Sequence, residues 1–225
     1  MNLHKLEKWN RWLGDGNSDG SIAHELANLA IIRRIYAGLN QMVDTNQNLQ
    51  KHSAFYLVTQ KTYFQSTLMY IRRQVRRDNN SVGLIILADD ILENCNLITK
   101  EFYSNLYAKN RKGEENEEWK RLGERDFVKY FGGTLEDSLD PQIIEEDLRV
   151  LKKIFEDVSE FIDRRLAHLD KREPISMPTY PEIENWCQVL NEILRKYMLL
   201  LRAVDYKVEP ILQHDWKVIF RTAWL

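Results

Sequence analysis

Arg164 and His168 stand four residues apart in the stretch DRRLAHLDK (163–171), a spacing that makes two side chains neighbours on a helix. A guanidinium is a permanent cation with five donors, and an imidazole exchanges a proton near neutral pH, so the pair can act together on one ligand. The same histidine also suits a plain surface role, hydrogen-bonded to Asp170 or Glu173. A second set of cations, Arg72, Arg73, Arg76 and Arg77 in IRRQVRRDNN, falls within about 140° of one helix face. Four such charges suit a phosphate backbone such as RNA, and equally a solvated face near a helix C-terminus. A third constellation, DGNSDGSIAHEL, has the opening of a calcium loop in Asp15, Asn17, Asp19 and Gly20. Its twelfth position is Leu26 and Glu25 comes one residue early, so tight calcium binding is not expected. A turn followed by a helix cap at Ser21 accounts for the same residues. Cys95 and Cys187 are far apart, His214–Asp215 lacks further ligands, and Asp89, Asp90 and Glu93 lack a histidine partner. Neither a metal nor a cofactor is expected.

Helices must carry these groups, because glycine and proline are few and cluster, marking connectors at 14–20, 109–118, 132–141 and 171–181. Between them, apolar residues recur every three or four positions, as in Leu84, Leu87, Ile91, Cys95, Ile98 and Phe102. The spacing predicts helices over about 21–48, 53–77, 143–170 and 181–206, with shorter ones at the N-terminus and over 117–131. The expectation is an all-α bundle of about six to eight helices in a single domain, 21–225, preceded by an N-terminal helix and loop over 1–20. An apolar fraction of 44% and a charged fraction of 29% are those of a globular chain. The net charge of −2 provides no global basic field, so any nucleic-acid contact rests on local patches. Apolar runs such as GLIILA and YMLLL are too short to span a bilayer, and a reducing cytoplasm fits the two unpaired cysteines.

On the helix leading to His168, residues Leu148, Leu151, Phe155, Val158, Ile162, Leu166 and Leu169 fall in one arc of about 80°, the expected core face. Val150, Ile154 and Phe161 form a second stripe on the His168 side. Such a stripe is rarely left in water, so another helix or a second chain is its natural cover, and a homodimer contact that includes it is expected.

RRLAHLD on a late helix, LMYIRRQVRRDNNSVGLIILADDI in the middle and WKVIFRTAWL at the end together resemble the abortive-infection U-type branch of the HEPN superfamily, from about residue 20 onward. The resemblance implies an all-helical, usually dimeric protein of prokaryotic defence. Active members are metal-independent ribonucleases that use an Arg and a His with four to six residues between them. His168 matches the histidine, but the positions five, six and seven residues ahead of it are Asp163, Ile162 and Phe161. Arg164 then either takes the Arg role from a shifted position or stands for the polar residue that follows it. The function implied is a metal-independent endoribonuclease or toxin-like factor of phage defence. His168 and Arg164 would be catalytic, Arg165 and the four-arginine set would contact RNA, and an antitoxin protein is a further possible partner. The competing expectation is a non-catalytic helical module that binds RNA, a nucleotide or a protein.

Overall fold

Side-chain caps set most of the helix starts. Ser21 accepts from the backbone N–H of His24 at 3.2 Å, Ser53 from Tyr56 at 3.4 Å and Asn116 from Glu118 at 2.9 Å. Asp140 accepts from Gln142 at 3.0 Å, with Pro141 at the first helical position. Thr179 and Glu182 form a reciprocal capping box, with the Thr179 N–H donating to Glu182 at 2.8 Å. Each such cap satisfies N–H groups that the first turn leaves open, at about 1 kcal/mol apiece.

The computed structural model describes residues 3–15, 18–46, 53–78, 80–108, 116–132, 137–167, 177–212 and 214–222, with the backbone alone at 3 and 165–167. Its helices are α1 (Leu3–Leu13), α2 (Ile22–Thr45), α3 (Ala54–Val75), α4 (Leu84–Glu93), α5 (Lys100–Ala108), α6 (Glu117–Tyr130), α7 (Pro141–Phe161) and α8 (Tyr180–Arg202). No strand occurs among the described residues; two isolated bridges, Thr99 with Ser138 and Gly132 with Leu139, tie down the connector before α7. The chain is therefore all-α. Helix α3 touches α2, α4, α7 and α8, α4 lies on α7, α1 runs along α8, and α5 with α6 forms a hairpin that leans on α8. One core cluster joins all of them, with Trp9, Leu68, Ile71, Leu87, Leu151, Val158, Leu194 and Tyr197 at no exposure. Trp9 and Leu13 make α1 part of that core.

Two expected boundaries move. The run from Leu84 to Phe102 is not one helix: it breaks after Glu93 into a 3-10 turn at Cys95–Leu97 and restarts as α5. Asn94 ends α4 by donating to the Asp90 carbonyl at 2.8 Å, and Thr99 caps α5 by accepting from Phe102 at 3.0 Å. The apolar spacing runs on across the break because Ile98, extended, still fills the core. Helix α8 stops at Arg202, four residues before the expected end, where Ala203 turns left-handed at φ 54°.

A glycine matters at one further point. Gly38 lies inside α2, and a Cβ there would stand 2.5 Å from the ring of Trp216. The missing side chain makes a notch that lets the C-terminal segment lie on α2.

Candidate functional site

Helix α7 brings the site into position, and it is more deeply buried than its amphipathic pattern suggests. Both arcs are covered. Leu148, Leu151, Val158 and Ile162 are buried as expected, and so are Ile154 at 3% and Phe161 at 8% exposure, while Phe155 is only half-buried. The Phe161 ring meets Phe64 of α3 edge-on at 5.7 Å, and Val150 packs on the same core. The stripe of Val150, Ile154 and Phe161, assigned above to a second chain, is thus occupied within this one, because α3 and α4 both cover α7. Phe161→Glu should accordingly destabilise the protomer itself, by about 3 kcal/mol or more, since it buries a charge without a partner. Urea denaturation would check this, and a variant as stable as the wild type but changed in oligomeric state would contradict it.

Beyond Phe161 the chain winds more widely, as a π-helical turn over Ile162–Ala167. Such turns are rare and recur at functional sites. At its start the backbone N–H of Ile162 is shared between the carbonyls of Ser159 and Val158, and the Ser159 hydroxyl is buried without a partner among the described residues. Two guanidinium groups meet this turn. Arg72 reaches over from α3 to pair with Asp163, its side chain only 13% exposed and its Nε–H without an acceptor. Arg164 pairs with Glu160, one turn earlier, at 2.9 Å. His168 and the side chain of Arg165 lie outside the described residues, so the expected Arg164–His168 pair rests on sequence spacing.

The four-arginine set does not form one face. Helix α3 ends at Val75 and Arg76 is already extended, at φ −85° and ψ 131°, so Arg76 and Arg77 leave the helical wheel. Three of the four are bound to carboxylates of other elements: Arg72 to Asp163, Arg73 to Glu25 of α2 at 2.9 Å, and Arg77 to Asp89 of α4 through two bonds of 2.6 and 2.8 Å. The fork on Asp89 raises the Arg77 pKa above its ordinary value. Only Arg76 of the four, exposed, has no such partner among the described residues. These ion pairs brace α3 against its neighbours, and a block of four free cations is not presented.

The loop with a calcium-like start is used differently. Asp15 accepts from the backbone and hydroxyl of Ser18 at 3.1 and 2.9 Å, Ser21 caps α2, and Glu25 is bound to Arg73. Asn17 lies outside the described residues. Among those described, no three His, Cys, Asp or Glu side chains gather where they could hold a metal ion. Calorimetry with calcium should show no low-micromolar binding; such binding, abolished in Asp15→Ala, would contradict this.

Sequence reading missed a ring cluster beside the site. Tyr36 of α2 and Tyr63 of α3 stack at 3.8 Å, and Tyr180 of α8 lies parallel to both within 13°, its hydroxyl 3.3 Å from that of Tyr36. Burial pushes the Tyr63 hydroxyl up to about 12, with Glu184 adding to it. Phe64 joins this cluster to Phe161, at 6.1 Å from Tyr180. The sites of contact are far apart in sequence and leave no local spacing to read.

No described helix is long and apolar enough to cross a membrane. Among known protein families, the HEPN-type family model described as AbiU2 matches the chain over residues 20–219. No curated protein and no solved structure matches the chain. The matched range takes in α2 to α8 and leaves α1 ahead of it, and with that coverage the chain belongs to the AbiU2 family of HEPN proteins.

Proposed function

We propose that this protein is a metal-independent endoribonuclease of prokaryotic phage defence, with His168 as general acid or base and Arg164 holding the phosphate. The observation that supports it is the π-helical turn at Ile162–Ala167 with Arg72 and Arg164 at its start, directly ahead of His168. In RNA cleavage without a metal, the 2′-oxygen attacks the adjacent phosphorus, the bond to the 5′-oxygen breaks, and a proton passes from the first to the second through a base and an acid. Imidazole near neutral pH serves either role, and a guanidinium steadies the charge on the pentavalent phosphorus. The partners of this reading are RNA, a second copy of the chain and an antitoxin protein, in the cytoplasm. With Ile154 and Phe161 buried in the protomer, a homodimer would use another face.

The competing reading is a binding module for RNA, a nucleotide or a protein. It is favoured by one observation: the place five residues ahead of His168 holds Asp163, a carboxylate already bound to Arg72. Incubating the purified protein with single-stranded and structured RNA, with and without EDTA, separates the two. Cleavage that EDTA leaves unchanged supports the nuclease. RNA binding without cleavage, lost in Arg164→Ala, selects the module, and neither activity leaves the fold alone.

A further inference from the structure

A groove of about 410 Å³ runs along the outer face of α3, lined by Gln65, Ser66, Met69, Tyr70 and Arg73. The spacing of these residues places them on one side of the helix. What distinguishes three of them, Gln65, Ser66 and Tyr70, is that their polar groups are uncommitted among the described residues. Nearer the N-terminus of α3, Tyr56 donates to Asn40, Thr59 to the Phe55 carbonyl and Gln60 to Tyr56. In the groove, the Gln65 amide and the hydroxyls of Ser66 and Tyr70 make no hydrogen bond within the described residues. Tyr70 packs against the core and carries the Arg73 guanidinium 5.4 Å from its ring, which gives the groove a firm wall. Met69 is 37% exposed beside it. Arg73 commits one arm to Glu25 and is otherwise half in solvent, and Arg76 follows, exposed.

We infer that this groove takes one nucleotide of single-stranded RNA, its base against Met69 and Tyr70, its edge read by Gln65, and its phosphate facing Arg73 and Arg76. The inference rests on the RNA reading above. An amide offers an adjacent donor and acceptor that match the edge of a base, thioether and phenol rings give it a soft apolar bed, and a guanidinium with spare N–H groups meets a phosphate. A duplex keeps its bases stacked and paired, so only an unpaired nucleotide can enter. Arg72 stands three residues beyond Met69, about 4.5 Å along the helix axis, and pairs with Asp163. Arg72 thus stands about a quarter-turn round the helix from the groove, and links the same helix to the turn over Ile162–Ala167.

The test is fluorescence anisotropy of a short labelled single-stranded RNA on the full chain carrying His168→Ala, so that binding is read without cleavage. Two further substitutions are added separately, Gln65→Ala and Met69→Lys. Met69→Lys is decisive because it adds a positive charge while filling the groove. If RNA is held there by its base, affinity falls about tenfold or more; if charge alone holds it, affinity rises. Gln65→Ala should weaken binding about threefold to tenfold, and a duplex of the same sequence should bind weakly and be insensitive to both changes. Unaltered affinity in both variants, or a rise in Met69→Lys, overturns the groove and leaves the nuclease reading standing. No binding of single-stranded RNA by either the wild type or the His168→Ala chain overturns both.

Discussion

Alanine in place of His168 is expected to lower RNA cleavage by about two to four orders of magnitude, the usual contribution of a positioned acid or base. Thermal unfolding should not change, because the spacing puts His168 off the arc of Leu148, Leu151, Val158 and Ile162 that enters the core. Arg164→Ala should reduce both cleavage and RNA affinity, since a guanidinium fork grips phosphate before the reaction as well as during it. The two losses are then distinguishable: His168→Ala lowers kcat at nearly constant KM, and Arg164→Ala moves both. Single-turnover cleavage of an end-labelled RNA checks this. A His168→Ala protein that cleaves at the wild-type rate would remove the histidine from the chemistry.

The second large effect is structural. Trp9→Ala should cost about 3–5 kcal/mol of stability, the range for deleting a fully buried aromatic side chain. Trp9 has no exposed surface, and its indole N–H donates to the Asp90 carboxylate at 3.1 Å. That carboxylate also receives Lys5, and Lys8 at 3.0 Å, so α1 is pinned to α4 by charge while it packs along α8. Burial by itself pushes the Asp90 carboxyl up; the donors Lys5, Lys8 and Trp9 outweigh it and hold the group below its ordinary 3.8. A carboxylate lowered in the fold stabilises above its unfolded pKa, and that part of the stability disappears as pH falls through the folded value. Trp9→Phe keeps most of the ring and removes one donor, so its acid transition should begin at higher pH than that of the wild type. Urea titrations at pH 7 and across the acid range would show both effects, and a Trp9→Ala chain within 1 kcal/mol of the wild type would exclude this account.

Much of the fold was legible because it depends on neighbours in sequence. Ser21 marks a helix start by chemistry that acts over three residues, and the apolar period of α7 shows Leu148, Leu151, Val158 and Ile162 entering the core. What could not be read depends on contacts between distant segments. Arg72 and Asp163 are separated by 91 positions, and nothing in IRRQVRR shows that three of its charges are bound to other helices. The assignment of Ile154 and Phe161 to a contact with a second chain does not hold, for a related reason. A second apolar stripe reports that something covers the helix, and periodicity does not say whether the cover is another chain or, as here, α3 and α4. The π-helical turn carries no sequence mark, yet it determines how Arg164 is directed. Of the site, the residue types were readable, and the salt bridges that engage them were not.

The contact between Asn10 and Arg202 has a consequence for how the molecule is made. Arg202, the last residue of α8, donates to the side chain and carbonyl of Asn10 at 2.8 and 2.6 Å across 192 positions of sequence. On the ribosome, Trp9 and Leu13 are synthesised long before the helix they pack against. At ordinary elongation rates of about 5–20 residues per second, that interval is on the order of tens of seconds. During that time α1 can meet α2 and Asp90 of α4 but lacks the cover of α8, and its bare side is a natural substrate for a chaperone. Closure of the bundle is thus a late, non-local event, and a message cut short before α8 would yield a chain whose N-terminal helix keeps one side uncovered.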